Sequence, residues 1–171
     1  MSSLPTLLQK GKLTHNGATP TDITAIDYIT NIFKKLMLSK KKNDLSDRIF
    51  VIQSFTGSGK STTMPVSIYR LLNNSGKSFS GAGVLVSQPR ILTSRAIPTD
   101  ISQSDWAKDM ILGETIGYKT GSFTEMSRDV NLLYATAGVL RAQLDYKDDS
   151  YIKKKYKFKK KILISLQQFY L

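Results

Sequence analysis

The sequence contains no cysteine, one histidine and only two glutamates. Without cysteine it has no disulfides and no thiolate metal ligands, and His15 alone cannot build a histidine metal cluster. The absence of cysteine also fits a reducing compartment. No apolar run reaches the roughly 18 residues of a membrane span, and the start of the chain lacks the basic-then-apolar plan of a secretory signal. We therefore expect no membrane association.

The overall composition predicts one folded domain with an anionic partner. Hydrophobic residues make up 40% of the 171 positions, with only five prolines, which argues against disorder. The net charge of +12 suggests nucleic acid. Seven of the 25 basic residues, however, lie in "KKKYKFKKK" (residues 153–161). Such a run is usually a solvated face, although its interleaved aromatics could also bind RNA or an anionic surface.

Helix-like and strand-like segments alternate along the chain, which predicts an α/β fold with a mostly parallel sheet. Apolar residues recur at helical spacing after Asp22, which predicts a first helix. A second helix is expected at 60–72, where Pro65 requires a bend or a tight first turn. A third is expected at 91–101, where Pro98 limits the helix. A further helix follows in "AGVLRAQL". Short buried strands are expected at "RIFVI", "VLVSQ" and "NLLYAT".

The stretch "VIQSFTGSGKSTTMP" (residues 51–65) follows a predicted strand and opens a predicted helix. Its Gly59, Lys60 and Ser61 match the end of the phosphate-loop pattern GxxxxGK[ST], and Gly57 adds a second flexible point. Glycines let backbone N–H groups face phosphates, the lysine reaches the β/γ phosphates and the hydroxyl ligates Mg²⁺. The alternative is a Gly/Ser-rich turn with a solvated lysine. The strand–loop–helix setting favours nucleotide binding.

Two later segments narrow the choice among phosphate-loop proteins. "QPR", which ends at Arg90, comes directly after a predicted strand, at the edge where α/β proteins bind ligands. "IGYKTGS" precedes "NLLYATAGVLRAQL", which contains Thr136. In this order, the three segments resemble motifs I, Ia and Ib of superfamily 2 helicases of the DEAH/DExH group over about residues 22–144. Ser54 in the first-glycine position and "KTGS" after Gly-Tyr depart from cellular members, so the chain is closer to divergent viral DExH enzymes.

The resemblance implies a P-loop RecA-like three-layer motor domain that uses ATP and Mg²⁺ and acts on a single strand of RNA or DNA. It implies that Arg90 and Thr136 each contact a nucleic-acid phosphate; the alternatives are a surface ion pair and a strand-end cap. We expect a monomer located in the cytoplasm or in an intracellular viral particle or factory. The implied ATP-binding residues are Thr56, Gly57, Ser58, Gly59, Lys60, Ser61 and Thr62, with Ser61 as the Mg²⁺ ligand.

The residues needed for hydrolysis are not found, and we assign no catalytic residue. The family takes its Mg²⁺-holding and water-orienting carboxylates from the Asp-Glu pair of motif II. No Asp-Glu dipeptide occurs in the sequence, and Glu114 and Glu125 both precede motif Ib. We also recognise no segment of the second motor domain within the 171 residues. We therefore expect that the 171 residues alone are not a competent helicase.

These features divide the chain into a loose leader (1–20), a partial RecA-like ATP-binding domain (21–145) and a basic tail (146–171). We expect a truncated or frameshifted reading frame, with about 10–14 final residues foreign to the family; the alternative is a genuine short protein. The incomplete sheet could recruit the tail run "ILISL" as a substitute strand.

Three functional hypotheses remain open at this point. The first is a fragment of a DExH helicase, and the second is a stand-alone module that binds nucleotide or nucleic acid without turnover. The third is a phosphate-loop kinase or GTPase. The base-reading elements NKxD and TKxD are both absent, which lowers the GTPase option.

Overall fold

The computed structural model describes residues 12–14, 51–53, 59–74, 83–145 and 162–165. The chain divides into two units, Ser3–Met64 and Pro65–Leu171, the latter together with Met1–Ser2. No helix in the described part is long and apolar enough to cross a bilayer. The elements in chain order are β1 (Lys12–Thr14), β2 (Val51–Gln53), α1 (Thr63–Asn74), β3 (Val84–Gln88), α2 (Ile91–Ser102), a 3-10 turn (Asp105–Ala107), β4 (Ile116–Lys119), β5 (Thr124–Glu125), β6 (Leu132–Thr136), α3 (Ala137–Asp145) and β7 (Ile162–Ser165).

The first unit contains a two-stranded antiparallel sheet. Strand β1 pairs with β2, with Lys12 opposite Gln53 and Thr14 opposite Val51. The strand predicted in "RIFVI" (residues 48–52) is present as β2, which overlaps it at Val51 and Ile52 and ends one residue later than predicted, at Gln53. Strand β1 lies within the segment interpreted as a loose leader, and the sequence pattern did not anticipate it. The helix predicted after Asp22 lies outside the described residues.

The second unit is built on a five-stranded sheet in the order β5-β4-β6-β3-β7. Strands β4, β6, β3 and β7 are parallel to their neighbours, whereas the short β5 returns antiparallel to β4. Helices follow β3 and β6, as the alternation in the sequence predicted. The α/β prediction with a mostly parallel sheet is therefore confirmed, and the arrangement is that of a RecA-like domain.

Strand β7 comes from the run "ILISL" in the basic tail. It pairs in parallel with β3, with Val84 opposite Ile162 and Ser87 opposite Ser165. The prediction that this run supplies a substitute strand is confirmed. The pairing covers the backbone edge of β3 that β6 does not use, and an uncovered edge of this kind would be open to pairing with another chain.

The core of the second unit is centred on β6, which lies between β4 and β3. Its first four residues, Leu132 to Ala135, are fully buried, which is why the sequence reads as a continuous apolar run rather than an alternating one. On one face Leu133 and Ala135 pack with Leu85 and Leu140. Each large side chain of this kind stabilises the fold by about 1.5–3 kcal/mol on burial.

Both prolines inside helices are accommodated, for different reasons. Pro65 is the third residue of α1, where the backbone N–H groups of a helix have no partner within it. Pro98 lies inside α2, and the helix predicted at 91–101 is confirmed as Ile91–Ser102, although Pro98 does not limit it. Ser94, Pro98 and Ile101 are the buried residues of α2, and their spacing places them on one face. Burial of that face offsets the hydrogen bond that Pro98 cannot donate.

Gly117 in β4 is required by the close approach of the β5 segment. A Cβ at this position would lie 2.5 Å from the carbonyl oxygen of Glu125 and 3.1 Å from Cβ of Met126. Gly117→Ala is therefore expected to destabilise the protein by about 1–3 kcal/mol through overpacking. Gly121→Ala is the matched control, because nothing lies within 4 Å of its added Cβ. Equal urea-unfolding midpoints for the two variants would contradict this packing.

Arg70 of α1 forms hydrogen bonds with the segment that joins α2 to β4. Its Nε donates to Oδ2 of Asp109 at 3.0 Å, and its Nη2 donates both to Oδ1 of Asp109 and to the carbonyl oxygen of Trp106, the latter at 3.0 Å. The guanidinium also lies over the Trp106 ring, 5.9 Å from its centroid. The hydrogen bonds from Arg70 hold the pKa of Asp109 below its ordinary value, although partial burial acts in the opposite direction.

Removing the Arg70 side chain should lower the free energy of unfolding by an amount that depends on pH. Arg70→Ala is expected to lower the free energy of unfolding by about 1 kcal/mol at neutral pH, and Arg70→Lys by nearly as much because an ammonium cannot form the two-pronged contact. Since the folded-state pKa of Asp109 is lowered, the pair stabilises the fold above the ordinary carboxyl pKa. That contribution to stability disappears as the pH falls through the folded-state pKa of Asp109. Urea unfolding from about pH 7 to about pH 2.5 tests this; a deficit in Arg70→Ala that does not shrink with acid would contradict the pairing.

Candidate nucleotide and nucleic-acid sites

The described part of the phosphate loop begins at Gly59, and the predicted binding residues Thr56, Gly57 and Ser58 lie outside the described residues. Gly59 has a φ of 80°, a left-handed conformation that favours glycine. Its carbonyl oxygen accepts hydrogen bonds from the backbone N–H groups of Thr62 at 3.2 Å and Met64 at 3.0 Å. Gly59 thus turns the chain directly into α1. The predicted loop-to-helix transition is present in the structure.

Lys60 and Ser61 lie in the turn that opens α1, and both are partly buried. Burial lowers the pKa of the Lys60 ammonium from its ordinary value, because a charged form is penalised away from water. The first turn of α1 contains no acidic residue. The positive end of the helix dipole and a lysine therefore come together without an acidic residue in that turn, an arrangement that suits a phosphate group.

Arg90 links β3 to α2 in the second unit. It has extended backbone angles (φ −122°, ψ 144°) and precedes the first residue of α2. Its carbonyl oxygen accepts hydrogen bonds from the backbone N–H of Ser94 at 3.1 Å and from the Thr93 hydroxyl at 3.0 Å, which fixes the backbone of this junction. The side chain is exposed, and among the side chains that the structure describes no carboxylate forms an ion pair with it.

Thr136 is the last residue of β6 and is directly opposite Gln88, the last residue of β3. Its side chain is partly exposed. Neighbouring strands lie about 4.8 Å apart, so Thr136 and the junction that contains Arg90 occupy adjacent positions at the carboxyl edge of one parallel sheet. The predicted pair of phosphate-contacting residues is brought together, at the edge where α/β proteins bind ligands. Neither helix that starts here, α2 or α3, has an acidic residue in its first turn.

In the described part of the chain no group of three or more acidic or histidine side chains could hold a metal ion. Ser61 stays the predicted Mg²⁺ ligand.

Three residues at the carboxyl edge were not predicted from the sequence. Gln88 is buried, and within the described residues its Nε2 has no hydrogen-bond partner. Arg95 of α2 lies over the ring of Phe123, with the guanidinium carbon 4.1 Å from the ring centroid. The only sequence signal for this cluster was an aromatic directly after the turn residues "TGS". The contact with Arg95 is made in three dimensions and has no signature in residue spacing.

Comparison with known proteins supports the resemblance to helicases. A protein of African swine fever virus, B962L, whose name marks it as an RNA helicase candidate, is 40% identical to the chain over 161 residues, 90% of this chain and 17% of that protein. The chain carries a superfamily 2 DExH-like helicase region. No family model matches the chain.

Cellular proteins match the same DExH-like region at lower identity. Human TDRD9, named an ATP-dependent RNA helicase, is 30% identical over 125 residues, 70% of this chain and 9% of its own length. Spindle-E of Culex quinquefasciatus, named a probable ATP-dependent RNA helicase, is 29% identical over 136 residues, again 9% of its own length. The DExH-like region thus spans about a sixth of the viral relative and less of the others. At the family level, these relatives connect the chain with ATP-dependent RNA helicases.

Proposed function

We propose that the chain is the ATP-binding portion of a DExH-type RNA helicase and that it contacts single-stranded RNA through the carboxyl edge of its parallel sheet. The observation that carries this proposal is the register of β3 and β6. By placing Gln88 opposite Thr136, it puts Arg90 and Thr136 at adjacent strand ends. The names of the relatives favour RNA over DNA.

The nucleotide would be held at the start of α1. The backbone N–H groups that follow Gly59 would donate to the phosphates, Lys60 would neutralise their charge and the Ser61 hydroxyl would ligate Mg²⁺, with Thr62 beside them. The left-handed Gly59 and the absence of an acidic residue in the first turn of α1 support this fit. When bound, ATP·Mg²⁺ supplies the phosphoanhydride whose hydrolysis drives such motors.

The RNA would be held by its backbone. Arg90 would pair with one phosphate and Thr136 would donate a hydrogen bond to another, which positions a strand without reading its bases. Affinity should therefore depend little on sequence and should fall steeply with salt, because each neutralised phosphate releases counterions.

A second candidate is a module that binds without turnover. It is favoured by the absence of an Asp-Glu dipeptide from the sequence, because such a pair supplies the carboxylates that hold Mg²⁺ and orient the attacking water in DExH helicases. We therefore propose that the 171 residues by themselves bind ATP and RNA but do not hydrolyse ATP.

Fluorescence anisotropy with a labelled single-stranded RNA and a duplex of the same sequence tests the RNA proposal. We expect tighter binding of the single strand and a linear fall of log affinity with log salt. A variant with glutamine at the seven lysines of residues 153–161 separates the sheet edge from the tail. If this variant loses all affinity, then Arg90 and Thr136 are not the binding site.

A further inference from the structure

The turn that joins β4 to β5 presents an aromatic ring from a rigid backbone. The Thr120 backbone N–H donates to the carbonyl oxygen of Phe123 at 2.8 Å, and the Thr120 hydroxyl donates to the same oxygen at 3.0 Å. In return, the backbone N–H of Phe123 donates to the Thr120 hydroxyl at 2.9 Å. Thr120 itself is buried. Three hydrogen bonds across four residues therefore fix the position of Phe123 before any ligand arrives.

The Phe123 ring has one covered face. The Arg95 guanidinium carbon lies 4.1 Å from its centroid, and the same guanidinium is 5.8 Å from the centroid of Tyr118. Phe123 is nevertheless 47% exposed. Arg95 therefore covers one face of the ring, while about half of the residue stays exposed. A single exposed apolar residue is ordinary on a protein surface; here hydrogen bonds also fix the backbone that carries the ring, and a cation lies over one of its faces.

The turn lies beside the proposed RNA contacts. Lys119, at the end of β4, is opposite Ala135 in β6, so Thr120 follows β4 at the level where Thr136 ends β6. In the strand order β4-β6-β3, the turn, Thr136 and the Arg90 junction come at three successive strand ends. Strands about 4.8 Å apart place the outer two roughly 10 Å from each other. A short oligonucleotide can reach across this distance.

We propose that Phe123 is a stacking platform for one base of the single-stranded RNA held by Arg90 and Thr136, with Arg95 as the residue that orients the ring. The inference rests on the proposed function and adds to it a contact with a base. Every base has a π-face, so stacking on a phenyl ring is tolerant of sequence and matches a backbone-directed site. The Arg95 guanidinium adds positive charge next to the strand.

The test compares two single-stranded probes of the same length, about 12 nucleotides, one an oligouridylate and the other the same sugar–phosphate backbone without bases. Each is titrated with the full chain and read by fluorescence anisotropy. Phe123→Leu keeps an apolar side chain but loses the aromatic ring, whereas Phe123→Tyr keeps the aromatic ring. We expect Phe123→Leu to weaken binding of the oligouridylate about tenfold and to leave binding of the abasic strand unchanged. Phe123→Tyr should bind both probes like the wild type.

Salt dependence separates stacking from charge. Phe123→Leu should leave the slope of log affinity against log salt unchanged, because no phosphate contact is removed. Arg95→Met should weaken the oligouridylate more than the abasic strand, since the ring loses its support. Thermal melting of each variant checks that the fold is retained.

Two results would overturn the stacking platform while leaving the proposed function intact. One is that Phe123→Leu weakens both probes equally, and the other is that it weakens neither. Failure of the wild-type chain to bind either probe would overturn the RNA proposal itself and the platform with it.

Discussion

Replacing Lys60 with alanine is expected to abolish the thermal stabilisation of the protein by ATP·Mg²⁺. At a ligand concentration one hundred times the dissociation constant, binding to the folded state alone adds about 2.7 kcal/mol, or roughly 5–10 °C for a chain of this size. Lys60 is partly buried at the start of α1, and burial lowers the pKa of its ammonium. A phosphate would offset the cost of burying that charge, whereas alanine leaves nothing to neutralise the phosphates.

The control for this experiment is Lys108→Ala, which removes the same charge from an exposed lysine that is paired with Asp105 at 3.3 Å. We expect this variant to be stabilised by ATP·Mg²⁺ as much as the wild type. Differential scanning fluorimetry with and without ATP·Mg²⁺ gives the melting temperatures. A full shift in Lys60→Ala would mean that the turn at the start of α1 is not the nucleotide site.

Reversing the charge of Arg90 should produce the largest loss of RNA affinity. Arg90→Glu removes one phosphate contact and places a carboxylate against the strand, so we expect binding to weaken about tenfold to hundredfold at moderate salt. The slope of log affinity against log salt should fall by about one, the value for one phosphate contact. The side chain is exposed and has no ion-pair partner among the described side chains, so the fold should not suffer.

Lys108→Glu is the matched control, because it makes the same change in net charge. Lys108 follows the 3-10 turn after α2, whereas Arg90 precedes that helix. A helix of 12 residues is about 18 Å long, and the two positions lie beyond its opposite ends. We expect Lys108→Glu to retain most of the affinity. Equal losses in the two variants would show that only overall charge matters and would remove Arg90 from the site.

In the second unit, the strands that are buried on both faces were predicted well from the sequence. Strands β3 and β6 are short apolar runs buried on both faces, and such runs leave a clear signal in sequence. Strand β4 was missed, because "IGYK" mixes a glycine and a lysine with its apolar residues, and its glycine is explained only by the approach of Glu125. The helix predicted at 91–101 is present as α2, which continues past Pro98 because burial of one face overrides the propensity of a single residue.

The residues of the candidate sites also fall into two groups, those that local sequence patterns identify and those that only the fold brings together. The positions of Arg90 and Thr136 at strand ends could be predicted because each residue belongs to a recognisable motif, and the parallel register places them at adjacent strand ends. Their contacts with RNA stay a prediction. Arg95 and Phe123 could not, because their contact joins a helix to a turn 28 positions away. The buried amide of Gln88, which has no hydrogen-bond partner among the residues that the structure describes, could not be predicted either, since the burial of one side-chain atom depends on all of its neighbours. Local patterns identify strand ends and loops, whereas contacts between distant segments require the fold.

The most direct test of the proposed function is equilibrium dialysis of the wild-type chain against labelled ATP·Mg²⁺, followed by chromatographic analysis of the recovered label. We expect saturable binding at one site, with the label recovered as ATP even after long incubation with single-stranded RNA. No saturable binding would contradict the proposed nucleotide site. Recovery of the label as ADP, with Lys60→Ala inactive, would contradict the proposal that these 171 residues bind without hydrolysis.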